Sequence, residues 1–458
     1  MTHDREIDPA VAHLRADAAA GCDEARMLLS RRHVLGLSAG LFSWAMQSRS
    51  ASAASTDPRL LVVVLRGGAD GLSIVAPYGD PAYASARGAL AMTKSQLIDV
   101  DGFFGLHPAL KNFGAMLKAG QGSAVHATCT PLRNRSHFDC QDNLESGLPG
   151  MVGSNPTGWI NRLLTALPAS APVRTHGALE IGDAPLILRG PAPVLGWSPT
   201  WYDPAWATTV NAAQANYDTI DTVYGKVFAA GIKTDRLARQ AGGSLDGLGG
   251  LRLAFTGAGR LLAAAAGPRI AVVSAEGWDT HADEGGPTGY LADALTELDT
   301  ALGDFKTAVG TAVWAQTVVV IVTEFGRTVA INGTHGSDHG VGTVALLAGG
   351  AVAGGKVHAK WPGLAPAKLY EDGNLAPTTD LRAVFKGVLQ DHLGVARSLL
   401  EATIFPSSSA VAPSVGLIRS PAAATTASAS AVVSASSAPL RPPSPIGMWR
   451  AGLAANGG

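Results

Sequence analysis

At 458 residues the chain is long enough for one large α/β domain or two ordinary ones, and burying a substantial core poses no difficulty. The formal net charge is −1, so no basic field points toward nucleic acid. Charged residues make up only 16%, against 47% hydrophobic, and part of that deficit comes from the two ends.

Residues 1–55 read as an export leader. Arg31 and Arg32 follow Ser30 and precede a moderately apolar stretch from Leu35 to Met46, and Ala51-Ser52-Ala53 supplies an A-x-A cleavage pattern. This is the twin-arginine pattern, which sends folded proteins through the twin-arginine export machinery to a periplasmic or extracellular location. The apolar stretch is too short to cross a bilayer as an anchor, and no other segment is long and apolar enough for an integral span.

A buried strand is expected at Leu60–Leu65, with Asp70 in the Gly-rich turn after it. A helical pattern at 106–118 leads to a strand at Ser123–Ala127. The polar cluster "CTPLRNRSHFDCQDNLESG" follows and holds Arg133, Arg135, Ser136, His137, Asp139 and Asp142. Another helical pattern covers 158–167. The polar, Ala-rich region 200–265 has no clear strand and reads as a helical insertion. A strand at Ile270–Ser274 is followed by Glu276, Asp279 and His281. Leu291, Leu295, Leu298, Leu302 and Phe305 then recur at helical spacing. The strand Thr317–Val322 runs into Glu324 and Arg327, and a Gly-rich loop carries His335, Asp338 and His339 to a strand at Thr343–Ala348. The helix with Leu381, Phe385, Val388 and Leu389 has a Thr379/Asp380 cap and stops at Gly394. Residues 57–405 form the expected folded domain. From 407 to 458 the chain is Ala/Ser/Pro-rich and is expected to be a disordered tail.

Strands alternating with amphipathic helices predict an α/β fold, a mostly parallel central sheet with helices on both faces. Ligands of such sheets gather at the carboxyl ends of strands, where the four polar clusters lie. Each has a bland reading alone: Asp70 as a turn residue, Ser136 with Asp139 as a helix cap, Asp279 and His281 as surface groups, Glu324 as the partner of Arg327. Converging, their carboxylates and imidazoles suit a divalent zinc, manganese or iron better than calcium, which prefers oxygen alone. Asp279 and His281, two apart in an extended segment, leave on the same face. Ser136 at a helix start and the arginines at 133, 135 and 327 suit an anionic ester, with the hydroxyl as nucleophile and the guanidiniums as clamp.

The blocks "LRGGADGLSIVAPYGDPAY", "FFGLHPAL", "RNRSHFDCQDNLESG", "GWINRLL", "GWDTHADEG" and "VTEFGRTVAINGTHGSDHG" resemble the DUF1501 family, often twin-arginine exported, over about residues 60–405. That family is in turn similar to the alkaline phosphatase and sulfatase superfamily. The resemblance implies an alkaline-phosphatase-like fold in which Asp70 follows the first strand, Ser136 is the nucleophile and Asp279/His281 the metal pair. It places Glu324 in the later carboxylate position and makes His339 the final ligand. Phe325 stands where a second histidine is usual, and Asp279-x-His281 is spaced more closely than the usual pair. One metal held by Asp279, His281 and His339 is therefore expected, with Glu324 as distal carboxylate and a second site, involving Asp70, weak or absent.

The function expected is metal-dependent hydrolysis of a phosphate or sulfate ester. The alternative is a non-catalytic exported protein of the same fold that binds a metal, glycan or surface partner; a redox role would need a redox-active ion. Cys129 and Cys140 admit a disulfide or two buried thiols. Cys129-x-Pro131-x-Arg133 also matches the core of the formylglycine signal of sulfatases, without its later Leu-Thr-Gly element.

Overall fold

The computed structural model describes residues 57–419, except 155, 183–184, 198–206, 221, 241–249 and 372. The expected leader and the chain beyond Arg419 lie outside the described residues. Its strands, in chain order, are β1 (Arg59–Leu65), β2 (Val75–Ala76), β3 (Ile98–Asp99), β4 (Gly105–Leu106), β5 (Gly122–Cys129) and β6 (Ala178–Ile181). They continue with β7 (Leu195–Trp197), β8 (Ile270–Ala275), β9 (Thr317–Thr323), β10 (Thr343–Ala348), β11 (Lys356–His358) and β12 (Thr379–Asp380).

The central sheet runs β11-β5-β10-β9-β1-β8-β6-β7, with β12 also paired to β5. β1 lies parallel to β8 and β9, and β6 is parallel to β8 and β7. Among the described strands of this sheet, only β10 runs against its neighbours, β5 and β9. The mostly parallel sheet with helices on both faces is the fold class expected from the sequence. Strands covered on both sides should be apolar throughout, and all seven residues of β1 and of β9 are buried.

Alternation along β1 divides the core in two. Leu61, Val63 and Leu65 pack with Phe113 and Met116, with Phe255 and Leu261 of the helix Gly250–Ala263, and with Leu295 and Phe305 of the helix Tyr290–Val309. Leu60, Val62 and Val64 face Trp159, Ile160 and Leu163, then Val384 and Phe385 of the helix Leu381–Leu393. A small antiparallel sheet of β2, β4 and β3 sits apart. In the region expected to be a helical insertion, Ala207–Ile220 and Thr222–Gln240 are helices. Gly250–Ala263, by contrast, belongs to the layer covering the main sheet, with Phe255, Leu261 and Leu262 in the core. At the other end the ordered chain continues past the expected boundary at 407. Leu417 is fully buried, and Arg419 N–H donates to the Ala351 carbonyl.

Because β5 and β9 are both antiparallel to β10, they run in the same direction, as do β1 and β8. The carboxyl ends of β1, β5, β8 and β9 therefore share one edge. The segment after β9 loops at that edge and feeds straight back into β10, which is why this strand is reversed and why His339 arrives beside the other strand ends.

Candidate metal centre

Four segments meet at this edge. The turn after β8 carries Trp278, Asp279 and His281, and the end of β9 carries Glu324 and Arg327. Asp338 and His339 lie on the return loop to β10. The connection from β5 delivers Arg135, Ser136 and then His137, first residue of the helix His137–Ser146. Gly67, in the turn after β1, has φ +126°, and a Cβ there would lie 2.5 Å from the Asp279 nitrogen, so glycine lets the two turns touch.

The imidazoles face one another through the same nitrogen. His137 Nε2 lies 3.0 Å from His339 Nε2 and 3.4 Å from Asp279 Oδ2. His281 Nε2 is 3.0 Å from His339 Nε2 and 3.1 Å from Asp279 Oδ1, which is itself 3.2 Å from His339 Nε2. Ligand atoms of His137, Asp279 and His339 all lie within 4.8 Å of one another. Two atoms at about 2.0 Å from a tetrahedral zinc are about 3.3 Å apart, so this spacing matches a shared ion.

The outer nitrogens all face oxygens. His137 Nδ1 is 2.8 Å from Glu324 Oε1, His281 Nδ1 is 3.1 Å from Asp338 Oδ1, and His339 Nδ1 is 3.0 Å from the Arg135 carbonyl oxygen. Each partner is an acceptor, so each Nδ1 can donate to it. With Nδ1 as the donor, the Nε2 atoms turned toward one another and toward Asp279 are the ones open to a shared ion. An outer oxygen on each ligating imidazole is how metal-binding histidines are held.

Charges around the cluster are set from outside it. Burial disfavours the charged Asp279, but the Arg327 guanidinium bonded to it outweighs this and lowers its carboxyl below the ordinary value. Arg327 is buried and turned to the protein. It donates to the carbonyls of Gly67 (2.9 Å), Gly68 (2.8 Å), Trp278 (3.2 Å) and Ser337 (3.1 Å). Glu324 is also fully buried, and burial would raise its pKa; the His137 and Gln141 donors prevail and hold it low. That carboxylate in turn raises the His137 pKa. Burial, then the charges of His137 and Arg327, lower that of His339.

Other residues singled out in the sequence lie around this centre in different roles. Asp70 is buried and caps the short helix after it, accepting from Leu72 N–H (2.9 Å) and Ser73 Oγ (2.9 Å). It also pairs with the fully buried Arg87, so its charge is already matched, and it stands apart from the imidazoles. Ser136 caps the helix His137–Ser146, its Oγ accepting from Asp139 N–H at 3.4 Å. The Arg135 side chain pairs with Glu371 at 3.2 Å, and the exposed Arg133 lies over the Tyr370 ring at 5.5 Å. Phe325 is buried, its ring 4.9 Å from those of both His137 and His339. Cys129 and Cys140 are both free thiols, and burial pushes each up to about 11.

His137 is the residue that sequence reasoning passed over as a ligand. It was visible in "RNRSHFDC", but Ser136 beside it took the chemical role at the helix start. A histidine in the first helical position leaves beside the cap rather than along the helix, and that was the available signal.

No curated protein matches the sequence. Among solved structures, the chain is similar to Ps i-CgsB in complex with k-i-k-neocarrahexaose, at 13% identity and TM-score 0.29, with 66% of this chain and 68% of that chain covered. It is also similar to the C-terminal periplasmic domain of EcEptC from Escherichia coli in complex with Zn, at 12% identity and TM-score 0.36, covering 82% and 94%. The family model described as a protein of unknown function, DUF1501, matches residues 105–404, well over half of the chain and including His137, Asp279, His281, Glu324 and His339, and the chain belongs to that family.

Proposed function

We propose that the protein is an exported, metal-dependent hydrolase of a phosphate or sulfate ester, with its divalent ion on His137, Asp279 and His339 and with His281 beside them. The observation that carries this reading is the convergence of three Nε2 atoms on one carboxylate, each imidazole held from behind by an oxygen. Three nitrogens and a carboxylate suit zinc, manganese or iron. Bound there, the ion would polarise the ester and offset charge developing at phosphorus or sulfur.

The remaining roles fall to the chain. Arg133 and Arg135, which rest on Tyr370 and Glu371, would turn their cationic N–H donors to the anionic oxygens. Ser136 sits where the first turn of the helix His137–Ser146 favours negative charge. Its Oγ would form a bond to phosphorus or sulfur as the ester oxygen leaves with a proton, and water would then release the acid. Glu324 and Asp338 hold two of the imidazoles, and Arg327 fixes Asp279. Asp70, matched by Arg87, is a brace in this reading rather than a ligand. The leader at 1–55 carries the export part of the proposal.

Phe325 favours one alternative. It fills the space beside two of the imidazoles with a ring that binds no metal, which suits a single-ion binding protein without turnover. Elemental mass spectrometry of the purified, exported protein should find about one equivalent of zinc, manganese or iron. His137→Ala should lose that metal. Ser136→Ala should keep the metal and lose turnover of aryl phosphate or aryl sulfate esters. Metal-free protein that takes up no added ion would sink both readings, and metal-loaded protein inert toward the ester panel would leave the binding reading.

A further inference from the structure

Beneath the imidazoles, the two loops that bring most of them are tied to one buried carboxylate. Glu284 is fully buried, three residues past His281. Its Oε2 accepts from Thr280 Oγ1 at 3.1 Å and from Ser337 Oγ. Thr280 stands between Asp279 and His281. Ser337 directly precedes Asp338, which holds His281, and His339 follows. The backbone repeats the tie: Ser337 N–H donates to the Thr280 carbonyl at 3.1 Å, and Glu284 N–H to the His335 carbonyl at 3.2 Å. The other oxygen of Glu284 faces Ser73 Oγ at 3.2 Å and Arg87 at 3.7 Å, the same guanidinium that holds Asp70.

We infer that Glu284 is the positioning residue of the metal centre, setting Asp279 and His281 against His339 through Thr280 and Ser337 and so setting how tightly the ion is held. This rests on the metal-site reading. Two buried carboxyls share a single guanidinium, and burial together with the Asp70 charge pushes Glu284 up to about 8. A neutral carboxyl both donates and accepts, as Gln does. Leu has similar bulk but no oxygen, so the two substitutions separate hydrogen bonding from packing.

Affinity for Zn²⁺ is to be measured by competition with a chromophoric chelator at pH 7. The proteins are the wild type, Glu284→Gln, Glu284→Leu, the double variant Thr280→Val/Ser337→Ala, and His339→Ala. Comparisons are confined to variants whose circular dichroism and melting show them folded at the assay temperature. Glu284→Gln should bind like the wild type, while Glu284→Leu and the double variant should each weaken binding about tenfold or more. Adding the double change to Glu284→Leu should cost little further, because both cut the same tie. Where Glu284→Leu does not fold, the double variant decides. If His339→Ala loses the ion and the double variant or Glu284→Leu binds like the wild type, the inference about Glu284 fails and the metal site stands. If the wild type takes up no Zn²⁺, the metal site itself fails, and the inference with it.

Discussion

At the scale of single residues, protonation is set by pairs of groups too close to be charged alike. Asp70 and Glu284 share Arg87, and they respond in opposite directions: Arg87 prevails over burial at Asp70 and lowers it, while burial and Asp70 raise Glu284 to about 8. A carboxyl raised on folding holds a proton that the unfolded chain has released above its ordinary value of about 4.3. Its contribution to stability is complete below that pH and is lost as pH rises toward 8. Asp70 has the opposite sign, with stability lost only as pH falls through its lowered value. In the presence of a chelator, the wild type should therefore lose stability relative to Glu284→Gln between pH 5 and pH 8. The limiting slope is one proton, about 1.4 kcal/mol per pH unit. Urea melts of both proteins at several pH values measure it, and parallel profiles would show Glu284 ionised throughout. None of this was legible in "GWDTHADEG", where Glu284 is one more acidic residue in a polar loop. Burial and the approach of Asp70 from 214 positions away make it different, and neither has a local signature. Asp279, His281 and His339 were legible because short polar clusters after apolar runs mark strand ends.

Elements translate strand ends into a site through very small clearances. The turn after β1 passes so close to the end of β9 that a Cβ on Gly68, at φ +71°, would lie 2.4 Å from Phe325 Cε2. Phe325 cannot yield freely, since its ring lies against those of both His137 and His339. Gly68→Ala should thus cost about 1–3 kcal/mol in urea unfolding from overpacking and the unfavourable φ. It should also lower metal content, because the displaced ring pushes on two ligands. Wild-type metal content in a destabilised Gly68→Ala would show that Phe325 moves away from the imidazoles. The apolar runs for β1, β5, β8, β9 and β10 were readable because each is longer than a turn and buried. β6, β7, β11 and β12 are two to four residues long and were not. So short a segment shows no period, and its pairing with a long neighbour, not its own sequence, makes it a strand. Asp380 was legible as a cap for the opposite reason, since its side chain meets a backbone N–H two residues on.

At the scale of the whole molecule, composition misplaced where the fold stops. The Ala/Ser/Pro-rich character sets in after Phe405, and a packed core was not expected beyond it. Yet 407–419 closes the face opposite the helix Tyr290–Val309, with Leu417 and Ile418 in the same cluster as Val62, Phe385 and Phe405. The segment also serves a buried cation. Lys386 is fully buried, and its Nζ donates to the carbonyls of Ser408 (2.6 Å) and Val411 (2.7 Å), with Glu401 3.6 Å away. Further along, Ser414 N–H donates to the Ala383 carbonyl and Ala353 N–H to that of Leu417. Ending the chain at Phe405 would expose the cavity left by Leu417, at roughly 1.5–3 kcal/mol. It would also leave a buried ammonium short of two acceptors, at roughly a further 1–3 kcal/mol. Those losses are a large part of the 5–15 kcal/mol typical of a whole domain. A chain ending at Phe405 should therefore melt well below one ending at Arg419, or fail to accumulate folded. Lys386→Met in the full-length chain separates the two contributions. It removes the charge and keeps the contacts of Leu417, so a melt close to wild type would assign the truncation loss to burial of the segment rather than to the ammonium.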